Sequence, residues 1–325
     1  MSEVEDAVAT VARLLRTNLR VVKDDGGLAN IVVTTEWQNA EAFGNCDGQV
    51  TVGLVESADL KLELSGRKRR RLSALRVTAW TTDQPSAADS GRAMRSKVVE
   101  EINRVLRQKH ARPNETRYSL WNTGPPSQTH KAFSGEAEAS PYAPGWAELS
   151  AEDYVKLWYS DDDRCQVVSE EDEKRAVLLF RLKTESREKT AKKLVLSFEG
   201  YGTAPDVDGV TLKVWNHELA AWTNAQSGGD GGVDEAIVIT VDQGLGDYID
   251  EDGYVWLLAV TSGSSDGETP AVLRCNYASL TVTVNGVSYC DIASYRDLDR
   301  VDVKPFIYRT EFTVRSWFFE NIVGE

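Results

Sequence analysis

Histidine is scarce in this 325-residue chain, with three copies, and cysteine nearly so, with four. Each shortage removes a class of chemistry. A serine or cysteine nucleophile needs a base within hydrogen-bond reach, and His110, His130 and His217 stand in no nucleophile motif. A helix end, a polar connector and a position after a strand account for the three in turn. Cys46, Cys165, Cys275 and Cys290 form no CxxC pair and have no neighbouring histidine, so a zinc site lacks its ligands. They read as reduced thiols, with a Cys165–Cys275 or Cys275–Cys290 bridge left open for an oxidising setting.

Positive charge is short as well. Lys and Arg number 37 against 51 Asp and Glu, a formal net charge of −14, which excludes a chain that wraps nucleic acid over its whole surface. No apolar run approaches the roughly 20 residues that cross a bilayer. The first residues are acidic and amphipathic, unlike a secretory signal, so the expectation is a protein that stays where it is made or leaves by lysis, with no membrane partner. Glycines are spread over turns, and the run Gly228–Glu235 has neither a lysine nor a following helix, so no phosphate loop and no cofactor are expected.

Carboxylates are plentiful, but no feature singles out a pair. Glu199 and Glu218 sit beside aromatics and read as rim acids rather than as a glycosidase pair. Asp206, Asp208, Asp250 and Asp252 alternate as calcium ligands on sandwich loops do; Asp-Gly is also common turn chemistry, which accounts for them without a metal.

What is present is periodicity. Val8, Val11, Leu15 and Leu19 recur at helical spacing behind Glu3, Glu5 and Asp6, and Met94, Val98, Ile102, Val105 and Leu106 do so between residues 93 and 108. Between these helices lie strands over residues 28–37 and 49–57, then a hairpin in which Leu60, Leu62 and Leu64 alternate before Ser65-Gly66, and Leu75, Val77 and Ala79 after it. Residues 112–149 are rich in Pro, Gly, Ser and Thr and read as a connector. From Tyr154 the helical period gives way to short alternating segments over 154–160, 175–182, 192–202, 210–216, 236–242, 254–262 and 279–285, the spacing of an antiparallel β-sandwich, jelly-roll-like. A polar stretch, 291–304, precedes a long alternating strand over 305–323. That strand is either the last of the sandwich or a return to the first domain; polar connectors on both sides favour return, with the sandwich inserted. The expected division is 1–122 with 300–325 as an α+β domain, 123–150 as connector and 151–290 as sandwich.

Two features point outward. Arg67, Lys68, Arg69, Arg70 and Arg71 form the strong basic cluster, placed at the hairpin tip, where it meets phosphates or acidic protein faces or is simply solvated. Trp158, Tyr159, Trp215, Trp222 and Trp256 alternate largely with core positions, and Trp222, expected in a loop, is the candidate glycan contact.

The order of helix, strands with a protruding hairpin, helix and closing strand is carried by Glu3–Arg20, Gln49–Ser57, Asp59–Trp80, Arg92–Gln108 and Arg309–Phe319. It resembles tail terminator and tail completion proteins of long-tailed phages and archaeal viruses. The resemblance covers under half the chain and rests on pattern. It implies a small α/β domain that forms a ring, commonly a hexamer, ending the tail tube and joining it to the neck or head connector. It also implies no catalytic residues, tail-tube and neck proteins as partners, non-specific contact with DNA in the lumen, and a virion location after assembly in the host cytoplasm. The sandwich looks like the domains that decorate many virion proteins. A glycan-binding module outside virions is the other reading.

Overall fold

The computed structural model describes residues 3–35, 45–62, 68–83, 89–125, 129–300, 302 and 306–321. It divides into two compact units, one of Glu3–Thr116 with Asn285–Glu325 and one of Arg117–Val284. The chain is mostly β-sheet, in three sheets among the described residues.

The first unit opens with α1 (Ala7–Asn18). Asp6 starts it by accepting the Val8 N–H, satisfying one of the donors a helix N-terminus leaves free. After β1 (Ile31–Thr34), β2 (Gly48–Lys61) runs parallel to it, with Ile31 opposite Gly48 and Thr34 opposite Thr51. The segment expected at 49–57 and the start of the one expected at 60–64 are thus one strand as far as Lys61, which a bulge between Leu54 and Glu56 bends without ending; residues 63 and 64 lie outside the described residues. β3 (Lys68–Thr82) pairs antiparallel with β2, and α2 (Gly91–Gln108) follows, capped by Ser90. Gly91 is required there: a Cβ would stand 2.6 Å from the Thr82 carbonyl carbon.

The second unit holds β4 (Glu115–Ser119, from Arg117), β5 (Lys131–Gly135), β6 (Ala147–Glu148), α3 (Ala151–Lys156), β7 (Cys165–Ser169), β8 (Val177–Lys183), β9 (Ala191–Thr203), β10 (Val210–Asn216), β11 (Ala221–Gly228), β12 (Glu235–Val241), β13 (Tyr254–Thr261) and β14 (Ala271–Val284). One sheet runs β11-β10-β13-β8-β5-β6; the other runs β12-β9-β14-β4, with β7 also on β14. Alternate residues of both sheets, including Phe180, Phe198, Leu212, Leu257 and Leu280, meet in one core from which water is excluded.

Two expectations fail here. Residues 154–160 are not a strand, because Ser150 caps a helix with Asp153 three residues on, and Tyr154 and Leu157 bury one face of it. The expected connector at 123–150 contributes β5 and β6, and the sandwich begins near Arg117 rather than at 151.

The chain then returns to the first unit with β15 (Tyr289–Asp297), which takes up residues 291–297 of the polar stretch expected to be a connector, and β16 (Ile307–Asn321). The sheet order is β1-β2-β3-β16-β15. β16 lies antiparallel to β3 from Ile307 opposite Thr82 to Asn321 opposite Lys68. One face of this sheet packs Val50, Val52, Leu75, Val77, Phe312 and Val314 against both helices.

Candidate assembly surface

Beyond Gly53 the helices no longer cover the sheet. Residues 54–61 of β2 are all exposed, yet they stay paired with β3, which stays paired with β16 as far as Asn321. The result is a three-stranded arm. On β2's other edge, β1 reaches only to Thr51, and no strand among the described residues continues it. Unpaired edges of this kind are templates for another strand.

The arm has two unlike faces. On the face continuous with the core, the row Asp59–Arg71–Phe318 follows Ser57–Ser73–Ser316. Arg71 donates from Nε to Asp59 Oδ1 at 2.8 Å, and this bond holds the Asp59 carboxyl below the usual carboxylate range. On the opposite face, Leu60, Arg70 and Phe319 form one cross-strand row, with Leu72 and Trp317 in the next. The Arg70 guanidinium lies over the Trp317 ring at 5.3 Å and the Phe319 ring at 5.9 Å. Leu54, Val55, Leu60, Leu62 and Phe319 are each about half exposed, the largest value being 56% at Phe319. Five large apolar side chains on one arm exceed the scattered single residues that an ordinary surface carries.

The basic run is therefore not a hairpin tip. Lys68, Arg69, Arg70 and Arg71 belong to β3, with Arg69 and Arg71 on one face and Lys68 and Arg70 on the other. Arg67 lies outside the described residues.

The sandwich candidates are committed elsewhere. Trp222 is on β11, not in a loop, directly opposite Trp215, whose ring it meets edge-on at 5.1 Å; its indole N–H donates to Ala139 O at 2.8 Å. Tyr142, on the strap between β5 and β6, lies edge-on to Trp215 and Trp256 and completes this outer cluster. Asp208 accepts the Ala204 N–H and Asp250 those of Asp252 and Tyr254, so two of the four acids close local turns, while Asp206 accepts the Ser264 N–H and ties two loops together. Among the described residues no three His, Cys, Asp or Glu converge as a metal site. Glu199 is not at a sheet edge: β9 lies between β12 and β14. Its carboxylate and that of Asp234 receive the amide of Asn276, a buried residue at a bulge that the sequence did not single out. All four cysteines are free thiols; Cys165 faces Cys275 across β7 and β14, and burial pushes Cys165 up to about 12.

His130 is a structural residue with a measurable signature. Its Nδ1 accepts the Lys183 N–H at 3.0 Å, and burial, with Arg181 and Lys183 nearby, lowers its pKa to about 4. The unfolded chain takes up this proton near pH 6.5 and the sandwich does not, so the contribution is complete above pH 6.5 and is lost as pH falls toward 4. The loss is up to about 3 kcal/mol. Urea midpoints at pH 7 and pH 4.5 measure it, and His130→Asn, which keeps an acceptor but does not titrate, should flatten the difference.

Comparison with known proteins adds one finding. Residues 127–284 match a family described as "Uncharacterized protein, C-terminal domain". The match ends at Val284, the last residue of the sandwich unit. No curated protein matches the chain.

Proposed function

We propose that the chain is a non-enzymatic assembly subunit that closes into a ring through its first unit, the arm forming the seam. The observation that carries this reading is the arm itself: an edge of β2 that no described strand pairs beyond Thr51, beside exposed Leu54, Val55, Leu60 and Phe319. Heterologous contacts that return on themselves give closed rings. The order α1, β1, β2, β3, α2 and a closing β16 supports the narrower reading, a ring at the tail–neck junction of a virion, commonly a hexamer, meeting tail-tube and neck proteins. In that reading the basic residues of β3 face DNA or an acidic protein surface, and the sandwich is peripheral. A domain whose family is described as C-terminal elsewhere supports treating the sandwich as a separable module.

Multi-angle light scattering tests the ring. The expected result is one closed oligomer whose mass is a whole multiple of 36.0 kDa and holds across a tenfold range of concentration. A monomer at tens of micromolar, at both low and high salt, sinks the reading.

A further inference from the structure

We infer that the cleft between β7 and the edge of the opposite sheet at β5 and β6 binds a neutral pyranose unit of a glycan. The site lies wholly within the sandwich and does not depend on whether the first unit assembles. Its volume is about 440 Å³, within the roughly 300–1,000 Å³ of small-ligand sites. Ser134 and Gly135 of β5, Ala147 of β6 and Val168 of β7 line it, and Trp146 from the strap, with Glu136 and Lys174, completes the wall.

The indole is set in place before any ligand arrives. Trp146 donates its N–H to Ser140 O at 2.9 Å and packs on the cluster that holds Trp215 and Trp256. Its six-membered ring lies against Gly135, where a Cβ would stand 2.6 Å from Cζ3, so glycine at 135 is what admits the ring. The rest of the indole stays partly exposed in the cleft, and a side chain already ordered loses little entropy on binding. Glu136 and Lys174, by contrast, have no ion pair or side-chain hydrogen bond among the described residues. The wall thus offers a free acceptor, a free donor and an aromatic surface.

That combination selects the ligand. An apolar molecule would bury both charges unpaired, which is costly. An anion would meet Glu136 and the exposed turn Glu170, Glu171, Asp172 and Glu173, and a cation would meet Lys174. A neutral pyranose satisfies all three groups at once: its hydroxyls donate to the carboxylate and accept from the ammonium, while its C–H face lies on the indole.

The test places the full chain on a printed array of neutral and acidic oligosaccharides. Saturation-transfer NMR then follows it in solution with the methyl glycosides of glucose, galactose, mannose and N-acetylglucosamine, and with methyl glucuronide, each at millimolar concentration. Neutral glycans should be retained, transfer should be strongest to the ring C–H protons of a neutral glycoside, and the glucuronide should bind about tenfold more weakly. Val168→Trp fills the cleft from a strand position that is 40% exposed and should abolish binding with the melting temperature unchanged. Lys174→Met removes the donor and should weaken binding about tenfold. The proposal is overturned if no neutral glycan is retained and no neutral glycoside receives saturation, if Val168→Trp and Lys174→Met bind as wild type does, or if the glucuronide binds as tightly as the neutral sugars. The light-scattering mass of the same samples reports assembly separately, so either reading can fail alone.

Discussion

Ending the chain at Arg300 should unfold the first unit and leave the sandwich folded. β16 is not a trailing edge: it lies between β3 and β15, and its loss strips β3 of a partner over its whole length and leaves β15 with none. It also carries Phe312 and Val314, both fully buried, and Phe318, nearly so. Burial of each such side chain contributes about 1.5–3 kcal/mol. Three of them, with the ladder's hydrogen bonds, rival the 5–15 kcal/mol that stabilises a typical domain. The sandwich keeps its own core across two sheets, so residues 117–284 expressed alone should melt in a single cooperative transition. Amide exchange read by NMR decides the matter. Protected amides at Val50, Leu75 and Val77 in the shortened chain would show that the sheet closes without β16.

How much of this was legible in the sequence depended on which residues faced the core. α1 and α2 were readable because their buried residues recur at helical spacing, and most sandwich strands because their inner positions alternate. The long alternation of β16 was visible too, and the polar stretches on both sides of the sandwich favoured its return; the strand it would pair with was not visible, since pairing with residues more than 200 positions away leaves no local mark. β15 escaped notice because only Cys290 among its residues is buried and its side chains give little alternation to detect. The basic run hid the start of β3 for a related reason: when five successive positions are cationic, composition masks which two face each way. At Trp222 the concealed feature was a turn. The β10–β11 hairpin turns through Ala220 at φ 48°, a left-handed conformation that glycine or asparagine usually marks, so the segment reads as loop. Of the candidate surface on the arm, the basic residues were foreseen and their pairing was not. The exposed leucines and Phe319 read as ordinary alternation, because period-2 spacing does not say which face a neighbour covers.

Replacing Leu60 and Phe319 by Ala should abolish ring formation at micromolar concentration while leaving the fold unchanged. The two side chains flank Arg70 on one cross-strand row, both about half exposed, so truncating them creates no interior cavity and should cost each subunit no more than about 0.5 kcal/mol. At a closed interface the same residues count for more. A hot-spot anchor at an interface centre costs about 2 kcal/mol or more on truncation. One such loss per seam is roughly thirtyfold in its dissociation constant. A ring closes only when every seam holds, so the effect multiplies around it. Val238→Ala provides the control: Val238 is 44% exposed, but it lies on β12 of the sandwich, and losing it should leave the oligomer intact. Sedimentation velocity of the three proteins at equal concentration, with thermal melts to confirm folding, separates the outcomes. If the double variant sediments as the wild-type ring does, the apolar face of the arm is not in the seam, and the contact must run along the β2 edge or the opposite face alone.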